Sequence, residues 1–368
     1  MRRKRTAPTL SVGMLVLSSI LVLTGCAASP TSVSPAEGKT PASTSTPTGQ
    51  SLQDPREIHG ASTAANVDEV IPITTKAKPQ LPVTVTDESG ASVTITDVSR
   101  IIALDVYGTL AETVVGLGLG DALIGRGASN TLSSMADLPI VTQSGHDLNG
   151  EAILSLAPTL VLTDTTVGPA EVQQQLIASG VPVLFFSPDR SIDLISGQVT
   201  TVAAALGLDA EGAKLATRIE KEVDDAMTAI AAMAPADPAD RLRIAFLYVR
   251  GTAGVFFVFG KGMGADGLIA GIGGIDVATE AGITGAKPAN SESLLVTNPD
   301  VFLLMSDGLE STGGVDGLLA RPGVAETTAG QNRRIVDMSD GQILSFGPSI
   351  AAVLTSLATA IYAPTELH

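Results

Sequence analysis

The chain has 368 residues, a formal net charge of −16, one cysteine, no tryptophan and 3% aromatic residues. The acidity argues against nucleic acid or an anionic membrane surface as partner. A single cysteine leaves no disulfide within the chain, so stability must come from the core and from size.

The first element is a secretory signal. MRRKR is a cationic cluster, the apolar run SVGMLVLSSILVLTG follows, and Cys26 comes next. This pattern assigns 1–25 to a signal peptide, not part of the folded body, and the run is too short for a membrane span. The junction Leu23-Thr24-Gly25-Cys26 resembles a bacterial lipobox and falls on the only cysteine of the chain. Cys26 is therefore the expected lipidation site. Residues 26–80 are rich in Ser, Thr, Pro and Ala and poor in large apolar residues, which predicts a disordered tether. Together they imply a body anchored on the extracytoplasmic face of the membrane. About two domains' worth of chain remains.

The body alternates strand and helix. PVTVTDESGASVTITD (82–97) predicts a hairpin around a turn with glycine. RIIALD (100–105) reads as a buried strand, YGTLAETVVGLGLGD as a helix ending in glycine, and ALIGRG and VPVLFF as further strands. SIDLISGQVTTVAAALGL predicts an amphipathic helix. A longer helix runs from Asp209 to Pro235. RIAFLYVRG, GVFFVFG, a helix over ADGLIAGIGG, RRIVDMS and a final helix PSIAAVLTSLATAIYA complete the chain. This order predicts an α/β fold: two Rossmann-like lobes with mainly parallel central sheets, joined by one long helix, with a ligand cleft between them. The expected boundaries are 81–208 for the first lobe, 209–235 for the linking helix and 236–368 for the second.

One stretch is written twice. NGEAILSLAPTLVLT (149–163) and NSESLLVTNPDVFLLM (290–305) each carry Asn, a small residue, Glu, then aliphatics, a proline and a short apolar run. Proline stops a helix, so each copy reads as helix, turn, buried strand. Glu151 and Glu292 occupy equivalent places. Two like charges on two lobes suit a pseudo-symmetric basic partner, although a glutamate near a helix N-terminus is also favourable by itself.

Of three histidines, His59 falls in the tether and His368 is the last residue, leaving His146 as the one inside the body. By its pattern alone it is either a ligand or a loop residue. The run Gly262-Met263-Gly264-Ala265-Asp266-Gly267 fits a dinucleotide turn, but an acidic partner after a second strand is missing, and a tight turn is the better reading. No P-loop and no nucleophile elbow are present, and a zinc site would want more His or Cys. No enzyme activity is expected.

Over residues 81–366 the chain resembles the class III solute-binding proteins of ABC importers, which deliver siderophores, haem, cobalamin or metals. RIIALDVYGTLAETVVGLGLGDALIGRG, GKGMGADGLIAGIGGID and FGPSIAAVLTSLATAIYAP carry the likeness. Where the family commonly has Arg after Gly-Pro, this chain has Ser349. The resemblance implies docking of Glu151 and Glu292 onto an ABC importer permease. SGHDLNGEAILSLAP, with His146 straight after glycine, and Tyr248 with Arg250 two residues on, are similar to haemin-binding lipoproteins of actinobacteria. That resemblance implies haem as the transported ligand, with iron held axially by His146 and Tyr248.

The chemistry is compatible. Imidazole and phenolate can hold haem iron from opposite faces. A phenol ordinarily ionises near pH 10, so iron and a cation such as Arg250 would assist. Arg250 could instead clamp a haem propionate. Tyr107, after the first strand, is the rival ligand, and Met305 is a candidate pocket contact. Tyr362 reads as core, as do most of Phe256, Phe257 and Phe259. The expected protein is a monomeric haem receptor that could also meet other cell-surface haem-binding proteins. The alternatives are a siderophore or cobalamin receptor of the same fold, or an exported α/β enzyme.

Overall fold

The computed structural model describes residues 54–67, 69–143 and 145–368. The signal segment, Cys26 and the first half of the expected tether lie outside them.

From Asp54 onward the chain belongs to the body, which corrects the tether drawn to residue 80. The strand β1 (Ser62–Thr63) pairs in parallel with Val336 and Asp337. The Gln342 side chain accepts from the Val67 N–H and donates to its carbonyl, at 2.8 and 2.7 Å. Farther on, the N–H groups of Ile73 and Gln80 donate to the carbonyls of Gly116 and Gly207. Average composition hid this because order here needs few apolar residues. Ile58, Ala61, Ala64 and Val70 are buried, and the body supplies acceptors for backbone donors that would otherwise need water.

In the first lobe, β2 (Val83–Thr86) and β3 (Ser92–Ile95) form the expected antiparallel hairpin. A four-stranded parallel sheet follows. It is built from β4 (Ile101–Leu104), β5 (Leu123–Gly125), β8 (Leu160–Thr163) and β9 (Val183–Phe185), in the order β5-β4-β8-β9. Helix α1 (Thr109–Gly116) follows β4. A two-stranded ribbon, β6 (Thr142–Gln143) with β7 (Asp147–Leu148), and α2 (Gly150–Ser155) precede β8. Helix α3 (Ala170–Ala178) leads to β9, and α4 (Ile195–Ala205) closes the lobe. Along β4, Ile101 and Ala103 enter one apolar cluster and Ile102 and Leu104 another. Burial on both faces explains why the strand reads as a continuous apolar run.

Helix α5 (Asp209–Ala231) links the lobes and packs on α4. Its buried Leu215, Ile219, Val223 and Ile230 recur at helical spacing, the signature of a one-sided helix.

The second lobe begins with β10 (Arg243–Arg250), β11 (Val255–Phe259) and α6 (Ala265–Gly271). Next come β12 (Ile275–Asp276), α7 (Val277–Glu280), β13 (Ala286–Pro288), α8 (Ser291–Thr297) and β14 (Val301–Met305). The last elements are α9 (Ser306–Ser311), α10 (Gly314–Leu319), α11 (Thr328–Gln331), β15 (Ile335–Met338) and α12 (Ile350–Tyr362). The sheet runs β1-β15-β14-β10-β11-β13, with β12 beside β10. It is parallel except where β11 pairs with β10 and β13. Ile244 and Phe246 of β10 face the core shared with α12, while Ala245, Leu247 and Val249 face the other side. Tyr362 is core as expected, and its hydroxyl donates to the Ile272 carbonyl at 2.9 Å.

The lobes meet at a buried carboxylate. Glu112 of α1 accepts from the Ser345 and Ser349 hydroxyls at 2.8 and 2.6 Å. A Cβ on Gly347 would lie 2.9 Å from the Glu112 carboxylate, so glycine permits the approach. Ser349, where the resemblance leads one to expect arginine, fills that place with a neutral donor.

Candidate functional site

Parallel strands collect ligand-handling loops at their C-terminal ends. In each lobe a tyrosine stands there against an arginine and its carboxylates. Tyr248, near the end of β10, stacks on Phe259 of β11 (ring centroids 5.3 Å apart). Phe259 in turn stacks on Phe246 at 5.2 Å. This ladder fixes the plane of the Tyr248 ring and places Phe259 beside it, while Phe257 is the direct cross-strand partner of Tyr248. Phe256 packs on the opposite cluster instead.

Arg250 folds back so that its guanidinium lies 4.7 Å from the Tyr248 ring centroid. Its Nη2 donates to Asp340 at 2.6 Å and approaches the Met305 sulfur at 3.6 Å, and its Nη1 donates to the Val249 carbonyl at 2.8 Å. The structure therefore brings Tyr248, Arg250 and Met305 together, as the sequence suggested, and adds Asp340, which sequence reasoning missed.

In the first lobe the partner of Tyr107 is Arg190, 5.4 Å from the ring centroid. Arg190 is buried between Asp164 (2.8 Å) and Asp105 (3.7 Å), both with fully buried side chains. Asp105 also accepts from the N–H groups of Tyr107, Thr109 and Leu110, which starts α1. Burial and then repulsion from Asp105 push the Asp164 carboxyl up to about 6, against the lowering effects of Thr166 and Arg190. Burial also pushes the Tyr107 phenol up, and Arg190, which pulls it down, is opposed by Asp164 and Asp105. Asp105 was visible in the sequence as a charge ending a buried strand. Arg190 had no local signal, since its partners lie 26 and 85 residues away.

His146 sits in the turn between β6 and β7, after Gly145, whose φ of +83° suits glycine. Backbone bonds to Gly168 hold both sides of the turn, with Gly168 N–H to the His146 carbonyl at 3.0 Å. The imidazole is 59% exposed, with Nε2 3.6 Å from Asp147 Oδ1. It therefore presents an exposed ring from a braced loop.

The repeated stretches fold alike. Asn149 and Asn290 cap α2 and α8, accepting from Ala152 and Ser293 N–H at 3.0 and 2.9 Å. Glu151 and Glu292 follow at the second helical position, both exposed. Each helix ends before a residue with positive φ, Ala157 (46°) or Asn298 (38°), and a proline. Asn290→Ala is expected to cost about 1 kcal/mol, read as a lower urea midpoint with an unchanged slope. The glycines of 262–264 form the expected tight turn, with φ of +87° and +80° at Gly262 and Gly264. Two cavities, of about 770 and 560 Å³, open along α5 and α12 and beside the β2–β3 hairpin, the second lined in part by Arg190, Thr109 and Leu110. Neither is lined by Tyr248 or His146.

Comparison with known proteins agrees with this architecture. The periplasmic binding protein family model matches residues 105–340. The crystal structure of heme binding protein HmuT is 47% identical, covers 84% of this chain and 100% of its own, and superimposes with a TM-score of 0.81. HmuT has also been solved with single alanine mutations at a histidine, a tyrosine and an arginine, the last two lying two residues apart. The periplasmic heme-binding protein RhuT from Roseiflexus sp. RS-1 is 37% identical over 72% of this chain and 98% of its own, with a TM-score of 0.66. An uncharacterized ABC transporter substrate-binding lipoprotein of Bacillus subtilis (strain 168), YvrC, is 24% identical over 77% of this chain and 87% of its own. The fold and the family match together place this chain in the periplasmic binding protein family.

Proposed function

We propose that this protein is a haem receptor that captures haem between its lobes and delivers it to an ABC importer permease. The observation that carries the reading is the Tyr248–Arg250 pair on a braced ring ladder. It is supported by likeness to HmuT, in which a tyrosine, an arginine two residues on and a histidine were chosen for mutation. A phenol oxygen is a suitable donor to ferric haem iron. Tyr248 is the better candidate of the two cleft tyrosines on charge grounds. The cation at Tyr107 is outnumbered by two buried carboxylates, whereas Arg250 pairs with one, Asp340. A phenolate is disfavoured where negative charge already prevails.

His146 supplies the second axial ligand from the opposite lobe. Its exposed imidazole can meet an incoming iron, and the Gly168 bonds hold its loop in place. Met305 offers a soft apolar contact. The work is capture rather than catalysis. Glu151 and Glu292 dock the loaded protein on the permease, and the lipid on Cys26 holds it outside the membrane. Among the described residues no helix is long and apolar enough to cross a membrane.

Haemin titration of the mature protein tests this reading. A saturable Soret shift at one haemin per protein is expected. Tyr248→Phe and His146→Ala are each expected to weaken binding by on the order of 10–100-fold. Tyr107→Phe is expected to leave affinity near wild type. If haemin gives no specific spectrum, the haem reading fails and siderophore and cobalamin complexes become the ligands to titrate. If Tyr107→Phe has the large effect, the axial ligand is reassigned.

A further inference from the structure

Arg250 is held partly from outside its own strand. Its Nη2 is held by Asp340, and the second oxygen of that carboxylate accepts from the Asp307 N–H at 2.9 Å. Asp340 is thus tied to α9 on one side and to Arg250 on the other. Gly308, also in α9, leaves the room the guanidinium occupies: a Cβ there would lie 2.7 Å from Arg250 Nη1 and 2.8 Å from the Val249 carbonyl. Without Asp340 the guanidinium keeps one carbonyl and a thioether sulfur, both weaker acceptors than a carboxylate. On β10 itself the guanidinium meets the Val249 carbonyl and the Tyr248 ring, while the charged partner, Asp340, and the open space at Gly308 come from other elements.

We infer that Asp340 is a positioning residue for the haem site, holding Arg250 over the Tyr248 ring in a space that Gly308 keeps open. The inference rests on the haem reading for its purpose but not for its geometry. It also bears on what Arg250 does. With Nη1 on a carbonyl and Nη2 on a carboxylate, both ends of the guanidinium are engaged, which favours facing the tyrosine over clamping a propionate.

The test uses two readouts on wild type, Arg250→Ala, Asp340→Ala, Asp340→Asn, Gly308→Ala and the Arg250→Ala/Asp340→Ala double variant. The first needs no haem. The chain has three tyrosines and no tryptophan, so the Tyr248 ring signals of the ligand-free protein can be followed by NMR. Asp340→Ala and Gly308→Ala should move these signals in the same direction as Arg250→Ala, leaving those of Tyr107 and Tyr362 in place. The second readout is haemin dissociation together with the tyrosinate-to-iron charge-transfer band. Arg250→Ala and Asp340→Ala should each speed dissociation about 10-fold and shift the band alike, and the double variant should be no faster than Arg250→Ala. Asp340→Asn keeps an oxygen for the Asp307 N–H and isolates the lost charge, so it serves if the alanine variant fails to fold.

Wild-type Tyr248 signals and dissociation rates in Asp340→Ala and Asp340→Asn, with Arg250→Ala altered, would overturn the inference. So would rates that multiply in the double variant. If Tyr248→Phe also leaves haemin binding intact, the haem reading falls on its own, and the ring signals still decide whether Asp340 places Arg250.

Discussion

Replacing Arg190 with alanine is expected to destabilise the protein by about 3–5 kcal/mol at pH 8. Arg190 is the cation between Asp105 and Asp164, whose side chains are fully buried. Its removal leaves two carboxylates facing each other without a counter-charge, at the start of α1 and beneath Tyr107. The loss should shrink as pH falls from 8 to 5. Asp164 is already pushed up to about 6 by burial and by Asp105, and without Arg190 it would take a proton more readily. Urea unfolding of wild type and variant at several pH values measures both effects. A loss below about 1 kcal/mol at pH 8, the range of exposed ion pairs, would mean that water reaches the pair and that the cluster is not the closed unit described.

Glu112→Gln is expected to act in the opposite direction. Burial pushes the Glu112 carboxyl up to about 7 from an ordinary 4.5, against the lowering pull of the Ser349 and Ser345 hydroxyls, and Asp105 adds to the rise. The folded form therefore binds its proton more tightly than the unfolded form. Where the folded state holds more protons, stability falls as pH rises. Glu112 should cost nothing below about pH 4.5 and impose its full penalty above about pH 7, a span worth roughly 3 kcal/mol. Glutamine carries no charge to desolvate, keeps one oxygen to accept from one serine hydroxyl, and can donate its amide N–H to the oxygen of the other. The variant should match wild type near pH 5, exceed it at pH 8 and show a flatter stability profile between them. Because Glu112 joins α1 to the loop before α12, the same titration should change how easily the lobes separate in ligand-free protein. A Glu112→Gln profile parallel to wild type would assign the pH dependence to other groups.

The alternation of β4, α1 and β5, the long α5 and the paired helix–proline–strand stretches were legible because each depends on local periodicity and on turn chemistry. Tyr248 with Arg250 was legible because two residues on one strand carry the pattern. His146 could be singled out because it was the one histidine in the body. The tether was drawn too long because composition averages over a segment, while a handful of buried residues and borrowed backbone acceptors suffice to order it.

The amino-acid sequence by itself determined the fold class and the two-lobed division, and it singled out Tyr248, Tyr107 and His146 as candidate ligands. Only the tertiary structure decided which charges meet. Asp340 reaches Arg250 across 90 residues, Arg190 joins Asp105 and Asp164, and Glu112 finds Ser345 and Ser349 in the other lobe. The physical reason is one of range. Secondary structure follows from neighbours a few residues apart. The electrostatics of a cleft depend on distances of a few ångströms between residues far apart in the chain, and no local pattern encodes those.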